Sequence, residues 1–303
     1  MPYHSLNFFY RKKFGGRVWK LSLDAGCSCP NRDGTLATWG CLFCNPESFS
    51  PSRRLHLPSL RQQLDEGVRR LKPRGDAERF IAYFQPGTNT YGPLDRLEAA
   101  YREALAYPNV VGLAVGARPD CAGDAVLDLL ANLAQTQNTW VVVEYGLQTI
   151  HDRSLDWLRR GHHYDAFLDA CDRTHRRNLD VGVHLILGLP GESHEDMHAT
   201  ARELARLGIH SVKLHNLYAV RDTALADQVA AGQVRLPEFS EYVEDVVDFL
   251  ERLPEQVVVE RLSGDAPPEY LVAPAWCSDK SAVRQAVLAE FRRRGTRQGS
   301  KSV

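Results

Sequence analysis

The sequence predicts an α/β protein that forms a partial (β/α)6 TIM-like barrel, followed by an α/β C-terminal extension. Short apolar runs alternate six times with amphipathic stretches between residues 18 and 217, which is the pattern of parallel strands joined by helices. Polar or glycine-containing segments end or follow each run, and the strand ends of a barrel meet at one mouth. An open doubly wound sheet fits the same alternation, but it would concentrate its site at one switch point.

Each element follows from these runs. The strands are expected at Val18–Leu23, Phe80–Gln85, Val110–Val115, Trp140–Tyr145, Val181–Leu187 and Val212–Leu217. The intervening helices are expected at Leu57–Leu71, Leu94–Ala106, Ala125–Ala134, Tyr164–Arg177 and Glu195–Leu207. Because the alternation stops near residue 217, we expect a barrel domain over residues 1–217 and an extension over residues 218–303. The extension is expected to contain a helix, a strand and a second helix, at Glu238–Leu253, Val257–Leu262 and Lys280–Arg294.

Composition is that of an ordinary globular chain. Of its 303 residues, 44% are hydrophobic and 25% are charged, which suffices for a sizeable core. The sequence shows no apolar run long enough to cross a bilayer and no secretory signal, so we expect a cytoplasmic protein without a membrane partner. Thiols stay reduced in the cytoplasm. The grouped cysteines of this chain therefore indicate metal binding rather than disulfides.

The net charge of −1 predicts no general attraction to polyanions, but both ends of the chain are basic. Residues 1–23 hold five lysines and arginines and no acid, and the tail after Glu290 again holds five and no acid. Two basic ends are typical of a phosphate-binding patch. Solvated ends that only aid solubility are the alternative interpretation.

Three cysteines after the first expected strand are the strongest chemical signal. Eleven residues separate Cys29 from Cys41, and two separate Cys41 from Cys44. Three thiolates can hold three irons of a [4Fe–4S] cube, which leaves the fourth iron open to a small molecule. Cys27 adds a fourth thiol, so structural zinc is the alternative, although the segment has one Cys-x-x-Cys knuckle instead of the usual two. We expect Cys27 to be a small apolar filler, with a role as a replacement ligand left open.

An ordered set of motifs resembles a known family. Cys41-Leu42-Phe43-Cys44, with an aromatic residue before its last cysteine, resembles the cluster motif of the radical S-adenosylmethionine (SAM) superfamily. The motifs that resemble its YhcC/YtqA type are Leu23–Gly26, Cys29–Thr35, Thr88–Tyr91, Arg118–Asp120, Gly161-His162, His184–Glu192, Ser263–Pro267 and Ala273–Cys277. Pro86-Gly87, before Thr88, departs from the family pattern.

The resemblance implies an enzyme with two cofactors, a [4Fe–4S] cluster and SAM. Such an enzyme reductively cleaves SAM at the cluster and abstracts hydrogen from its substrate, so it needs a reduced flavodoxin- or ferredoxin-type electron donor. Cys29, Cys41 and Cys44 are then the catalytic residues and metal ligands. The residues expected to bind SAM are Phe43, Thr88, Asn89, Thr90, Arg118, Glu144, Gln148, Gly188, Pro190 and Gly191. Packing, turn geometry and an Arg118–Asp120 ion pair are the alternative interpretations.

A second resemblance concerns the substrate. Arg118-Pro119-Asp120, Glu144–Gln148 and Arg160-Gly161-His162 are similar to motifs in the radical SAM part of the Elongator catalytic subunit, which modifies the wobble uridine of tRNA. This resemblance suggests a tRNA substrate whose phosphates bind the basic ends and whose base enters the barrel mouth. The alternatives are a radical SAM enzyme for a small metabolite or peptide, and a non-catalytic, metal-stabilised binding module.

Overall fold

A seven-stranded parallel sheet forms the centre of the fold in the computed structural model, which describes residues 1–56, 59–75 and 78–302. The strands are β1 (Val18–Leu23), β2 (Arg79–Phe84), β3 (Val110–Ala117), β4 (Trp140–Gln148), β5 (Asp180–Leu187), β6 (Ser211–Asn216), β7 (Ala219–Val220), β8 (Val258–Arg261) and β9 (Leu271–Ala273). The sheet runs β1 to β6 and then β8, in chain order. The short strands β7 and β9 pair separately and antiparallel.

Helices connect the strands. They are α1 (Leu6–Phe14), α2 (Pro51–Arg54), α3 (Leu60–Leu71), α4 (Leu94–Leu105), α5 (Asp124–Thr136), α6 (Asp152–Trp157), α7 (Tyr164–His175), α8 (His194–Leu207), α9 (Ala224–Ala230), α10 (Phe239–Arg252) and α11 (Lys280–Arg294). The expected elements all form, with ends within three residues of their predicted positions. Leu57, the predicted start of α3, lies outside the described residues, and the helix begins after the Ser59 cap. Within the described ranges, no helix has the length and apolar character needed to span a membrane.

The partial barrel is confirmed, and it has one strand more than the six expected. The additional strand, β8, pairs in parallel with β6, although it lies in the part of the chain expected to form the extension. The long connection between these two strands contains the β7 strand and two helices, α9 and α10, so the regular alternation that reveals the other strands is lost. The division of the chain at residue 217 stays a prediction.

A buried charge network shows that the sheet is curled. The ammonium group of Lys20 on β1 contacts the carboxylates of Glu144 on β4 and Glu260 on β8. In a flat sheet β1 and β8 would lie about 29 Å apart, at ~4.8 Å per strand spacing, which is beyond the reach of a lysine side chain. The first and last strands therefore curve toward one another around a common interior.

Opposite charges make this network tolerable inside the protein. Glu144 is 1% exposed and accepts hydrogen bonds from Lys20, from Lys213 on β6 and from His184 on β5, the last at 2.8 Å. Burial opposes the ionisation of Glu144, but the two lysines outweigh burial and hold the pKa of this carboxyl well below its usual value. Burial and the charge of Lys213 lower the pKa of His184 to about 4. His184 is therefore neutral at pH 7 and donates its Nε2 hydrogen to Glu144.

Both chain ends lie at the amino-terminal end of the sheet. The backbone N–H of Val259 on β8 donates to His4 O at 2.7 Å, and the Gln298 side chain donates to Val257 O at 2.8 Å. The helix α1, which the sequence analysis did not predict, is capped by Ser5 and ends three residues before β1. The two basic ends thus meet on the face opposite the cysteine segment, which follows the carboxyl end of β1.

Replacing Glu144 by glutamine is expected to destabilise the fold by about 3–5 kcal/mol at pH 7, because two buried lysines lose a carboxylate partner. The folded-state pKa of Glu144 lies below its unfolded value. Its contribution is therefore complete above about pH 4.5 and is lost as the pH falls below that value. The difference between wild type and E144Q should shrink in acid.

Denaturant unfolding at pH 7 and between about pH 3 and 5 measures this difference. The matched control is E195Q, because Glu195 pairs with Arg202 on the exposed face of α8 and surface pairs contribute little. Equal stabilities of E144Q and E195Q at pH 7 would contradict the role given to the network.

Candidate active site

The carboxyl ends of the sheet strands surround a cavity of about 710 Å³, a volume typical of ligand and cofactor sites. The charge network, including Lys20, Glu144 and Lys213, lines part of it. The cavity is also lined by most of the residues that the sequence analysis assigned to the site, namely Cys29, Cys41, Phe43, Cys44, Thr88, Arg118 and Gln148. The sequence motifs thus converge on one space although they are far apart in the chain.

Local turns hold the cysteine segment in place. Cys29 O accepts from Arg32 N at 2.7 Å, and Cys41 O accepts from Cys44 N at 3.0 Å, which closes a turn at each end of the segment. Leu42 N donates to Leu158 O at 3.0 Å and ties the segment to the chain after α6. All seven cysteines of the chain are free thiols.

The environment of Cys41 favours a thiolate. Its sulfur accepts hydrogen bonds from Arg160 Nη1 at 3.1 Å and from Asn31 Nδ2 at 3.3 Å. Burial opposes ionisation, but Arg160, Asn31 and Arg118 together lower the pKa of this thiol. Burial and the nearby Cys41 instead raise the pKa of Cys44 to about 11. A bound metal centre would ionise this second thiol, since coordination deprotonates a thiol outright.

The donor set fits an iron–sulfur cube better than a single metal ion. Among residues 1–56, 59–75 and 78–302, no three His, Cys, Asp or Glu side chains are arranged as ligands of one ion, whereas structural zinc needs four ligands around one point. The thiolates of a cube bind different irons and so share no single centre. Three thiols on one cavity wall, one of them favoured as a thiolate, suit such a cube.

Gly87, in the Pro86-Gly87 segment that departs from the family pattern, lies where no side chain fits. Its φ is 75°, and a Cβ at this position would lie 2.3 Å from the Cys27 carbonyl oxygen, so only glycine fits. The next residue, Thr88, donates its N–H to Ser28 O at 2.9 Å. The loop after β2 therefore lies directly against the cysteine segment. Burial, followed by the charge of Asp24, raises the pKa of the Cys27 thiol to about 11.

Several buried polar atoms on the cavity wall lack a protein partner. Arg118 forms the ion pair with Asp120 that the sequence analysis gave as an alternative interpretation, at 3.0 and 2.8 Å, but its Nη1 makes no hydrogen bond. The hydroxyl of Thr88 and Nδ2 of Asn216 are likewise unpartnered. Since leaving a buried polar group unsatisfied is costly, these atoms indicate contacts with a bound molecule.

Other predicted SAM-binding residues lie away from the cavity wall. The Asn89 side chain donates to Phe84 O and Gly116 O, both at 3.1 Å, and so ties the ends of β2 and β3 together. A Cβ on Gly188 would approach Pro237 at 3.1 Å. The SAM contacts expected for these and for three further residues stay predictions: Thr90, Pro190 and Gly191.

Sequence reasoning missed several residues of the site, among them Lys20, Lys213, Asn31 and Arg160. Lys20 and Lys213 each stand between two apolar residues of a strand, and that interruption was the available signal of an inward-facing charge. Asn31 and Arg160 stood inside motifs that were noted, but their contact with Cys41 joins positions 10 and 119 residues apart. Nothing in the local pattern reveals the longer of these two contacts.

Comparison with known proteins identifies the family. The model of the Radical SAM superfamily matches residues 34–204, and that of the Radical_SAM C-terminal domain matches residues 209–293. YtqA from Bacillus subtilis is 35% identical over 98% of this chain and 92% of its own length. A tRNA uridine(34) acetyltransferase from Methanocaldococcus jannaschii is 26% identical over 58% of this chain and 32% of its own length.

A solved structure shares the fold. Elp3 from the archaeon Methanocaldococcus infernus, lacking its N-terminus, matches with a TM-score of 0.69 and 19% sequence identity, over 93% of this chain. This chain covers 64% of that Elp3 chain, and the likeness concerns the fold. The family models and the identity with YtqA show that this chain belongs to the radical SAM superfamily and is an enzyme of that class, which uses a [4Fe–4S] cluster and SAM.

Proposed function

We propose that this enzyme modifies tRNA, with the side chain of the wobble uridine as its target, and that Cys29, Cys41 and Cys44 hold its cluster. The observation that carries the proposal is that these three thiols line the same cavity as unpartnered buried donors. A cluster with an open iron needs the thiols as ligands, and a small-molecule cofactor beside it needs the hydrogen-bond donors. The relative named as a tRNA uridine(34) acetyltransferase supports the choice of substrate.

The residues of the chain bind and orient the cofactors. When bound, the cluster and SAM supply the one-electron chemistry that removes hydrogen from an unactivated carbon. Arg118, whose Nη1 is free on the cavity wall, is the natural partner of the SAM carboxylate. Thr88 and Asn216 offer further hydrogen bonds, and Phe43 and Gln148 complete the wall.

Glu144 is held in the charge network, which limits its part in the SAM contact that the sequence analysis expected. Both of its oxygens already accept hydrogen bonds from lysines, and one also accepts from His184, so its capacity to bind a ribose or an amine is largely used. We infer that Glu144 shapes the polar wall of the cavity and balances its charge. Among the cavity-lining residues predicted to bind SAM, Glu144 is therefore the one whose predicted contact has the least structural support.

Contacts with RNA near the target base should come from the cavity side of the molecule. The two chain ends meet at the amino-terminal end of the sheet, whereas the cysteine segment follows the carboxyl end of β1, so binding of phosphates by the basic ends would be a separate contact. Trp39 is 65% exposed and Leu36 is 53% exposed on the cysteine segment, and Gly40 beside Trp39 lines the cavity. An exposed aromatic ring at this position suits stacking on an unpaired base.

The proposed function predicts SAM cleavage that depends on tRNA. Reconstituted protein with reductant and SAM should release 5′-deoxyadenosine faster when it receives tRNA from cells that lack the protein. The same tRNA should show an altered wobble nucleoside by mass spectrometry. Stimulation by a metabolite or peptide pool instead of tRNA would contradict the substrate assignment and leave the enzyme class intact.

Replacing Trp39 by alanine should weaken tRNA binding about tenfold, because a base–aromatic stack contributes ~1–3 kcal/mol. Phe8 provides the matched control: it is 61% exposed but lies on α1, at the other end of the sheet. Filter binding at one fixed, low salt concentration compares W39A, F8A and wild type. Equal affinity of W39A and wild type would contradict a stacking role for Trp39.

A further inference from the structure

Arg160 is a buried cation without a carboxylate partner. It is 7% exposed, and it forms no ion pair with any Asp or Glu in the part of the chain that the structure describes. Its Nη1 donates to Cys41 Sγ at 3.1 Å, and its Nη2 donates to Gly146 O, at the end of β4, at 2.6 Å. Because an unpaired buried charge is costly, the Cys41 sulfur, which would be a thiolate when it binds a metal, is the group placed to balance this guanidinium.

Asn31 attaches Cys41 to the same turn. This side chain is 2% exposed, and its Nδ2 lies 3.3 Å from Cys41 Sγ, 2.8 Å from Arg159 O and 3.1 Å from Arg160 O. The amide thus joins the sulfur to the backbone of the turn that presents the guanidinium. Both donors thus reach the same sulfur, and hydrogen bonds connect the segments that carry them.

Two glycines leave room for these donors. Gly161 has a φ of 67°, and a Cβ there would lie 2.8 Å from Asn31 Oδ1. A Cβ on Gly146 would lie 3.1 Å from Arg160 Nη2. The Arg160-Gly161-His162 motif therefore has a physical reason: an arginine that reaches the sulfur is followed by a residue that cannot displace Asn31.

We propose that Arg160 and Asn31 are positioning residues that raise the reduction potential of the cluster through the Cys41 thiolate. This inference rests on the proposed assignment of Cys41 as a cluster ligand. One-electron reduction adds negative charge to a cluster, so a cation and hydrogen-bond donors at its sulfur stabilise the reduced form more than the oxidised form. The arrangement favours acceptance of the electron that SAM cleavage requires.

The test is a redox titration of the reconstituted full-length protein, without SAM or RNA, followed by visible absorption and electron paramagnetic resonance. In R160M the potential should become more negative by about 59 mV, which for one electron corresponds to a tenfold change in the equilibrium. N31L should shift the potential in the same direction but less. R160K keeps the charge without the guanidinium fork and should fall between R160M and wild type.

R159M is the matched control, because it removes the same charge from the neighbouring residue, which is exposed. A wild-type potential in R160M with full iron content would overturn the proposal. If R160M loses iron, R160K and N31L decide: a shift in both relative to R159M supports the proposal, and wild-type potentials in both overturn it. A wild-type protein that assembles no cluster would overturn the cysteine assignment itself, which is a separate and distinguishable failure.

Discussion

The contact of Lys20 with Glu144 and Glu260 is the interaction on which the geometry of the site depends. It joins the first, the central and the last strand of the parallel sheet, and only a curled sheet brings these three strands together. Curling turns the row of strand ends into a ring around one cavity. The loops that follow β1, β2 and β3 then face a common space, although they belong to different parts of the chain.

The cavity wall combines two kinds of chemistry. On one part, paired lysines and carboxylates satisfy one another and keep the interior polar without excess charge. On another part, Nη1 of Arg118 and the hydroxyl of Thr88 lack protein partners, and the sulfur of Cys41 accepts a hydrogen bond from a buried cation. The first part supports the fold, and the second is suited to an iron–sulfur cluster and a charged nucleotide cofactor.

The sequence predicted those features of the fold and the site that are encoded in short, continuous stretches of the chain. The apolar runs identified the six strands β1 to β6, and the motifs around three cysteines identified the enzyme class through their resemblance to a known family. The features that it missed are contacts between residues far apart in the chain. The strand β8 joins the sheet after a long connection, and Arg160 contacts Cys41, which is 119 residues away. The charge count correctly found two basic ends, but it carried no information that the two ends of the chain meet at the amino-terminal end of the sheet.

The central claim is that a cluster is held by three particular thiols at the carboxyl end of β1. Iron and sulfide analysis of anaerobically reconstituted wild type, C41S and C27S tests it most directly, because Cys27 is a cavity-lining cysteine outside the proposed ligand set. The account predicts about four irons per chain in wild type and C27S, and loss of most iron and of the visible absorption band in C41S. A full cluster in C41S, or loss of the cluster in C27S alone, would contradict it.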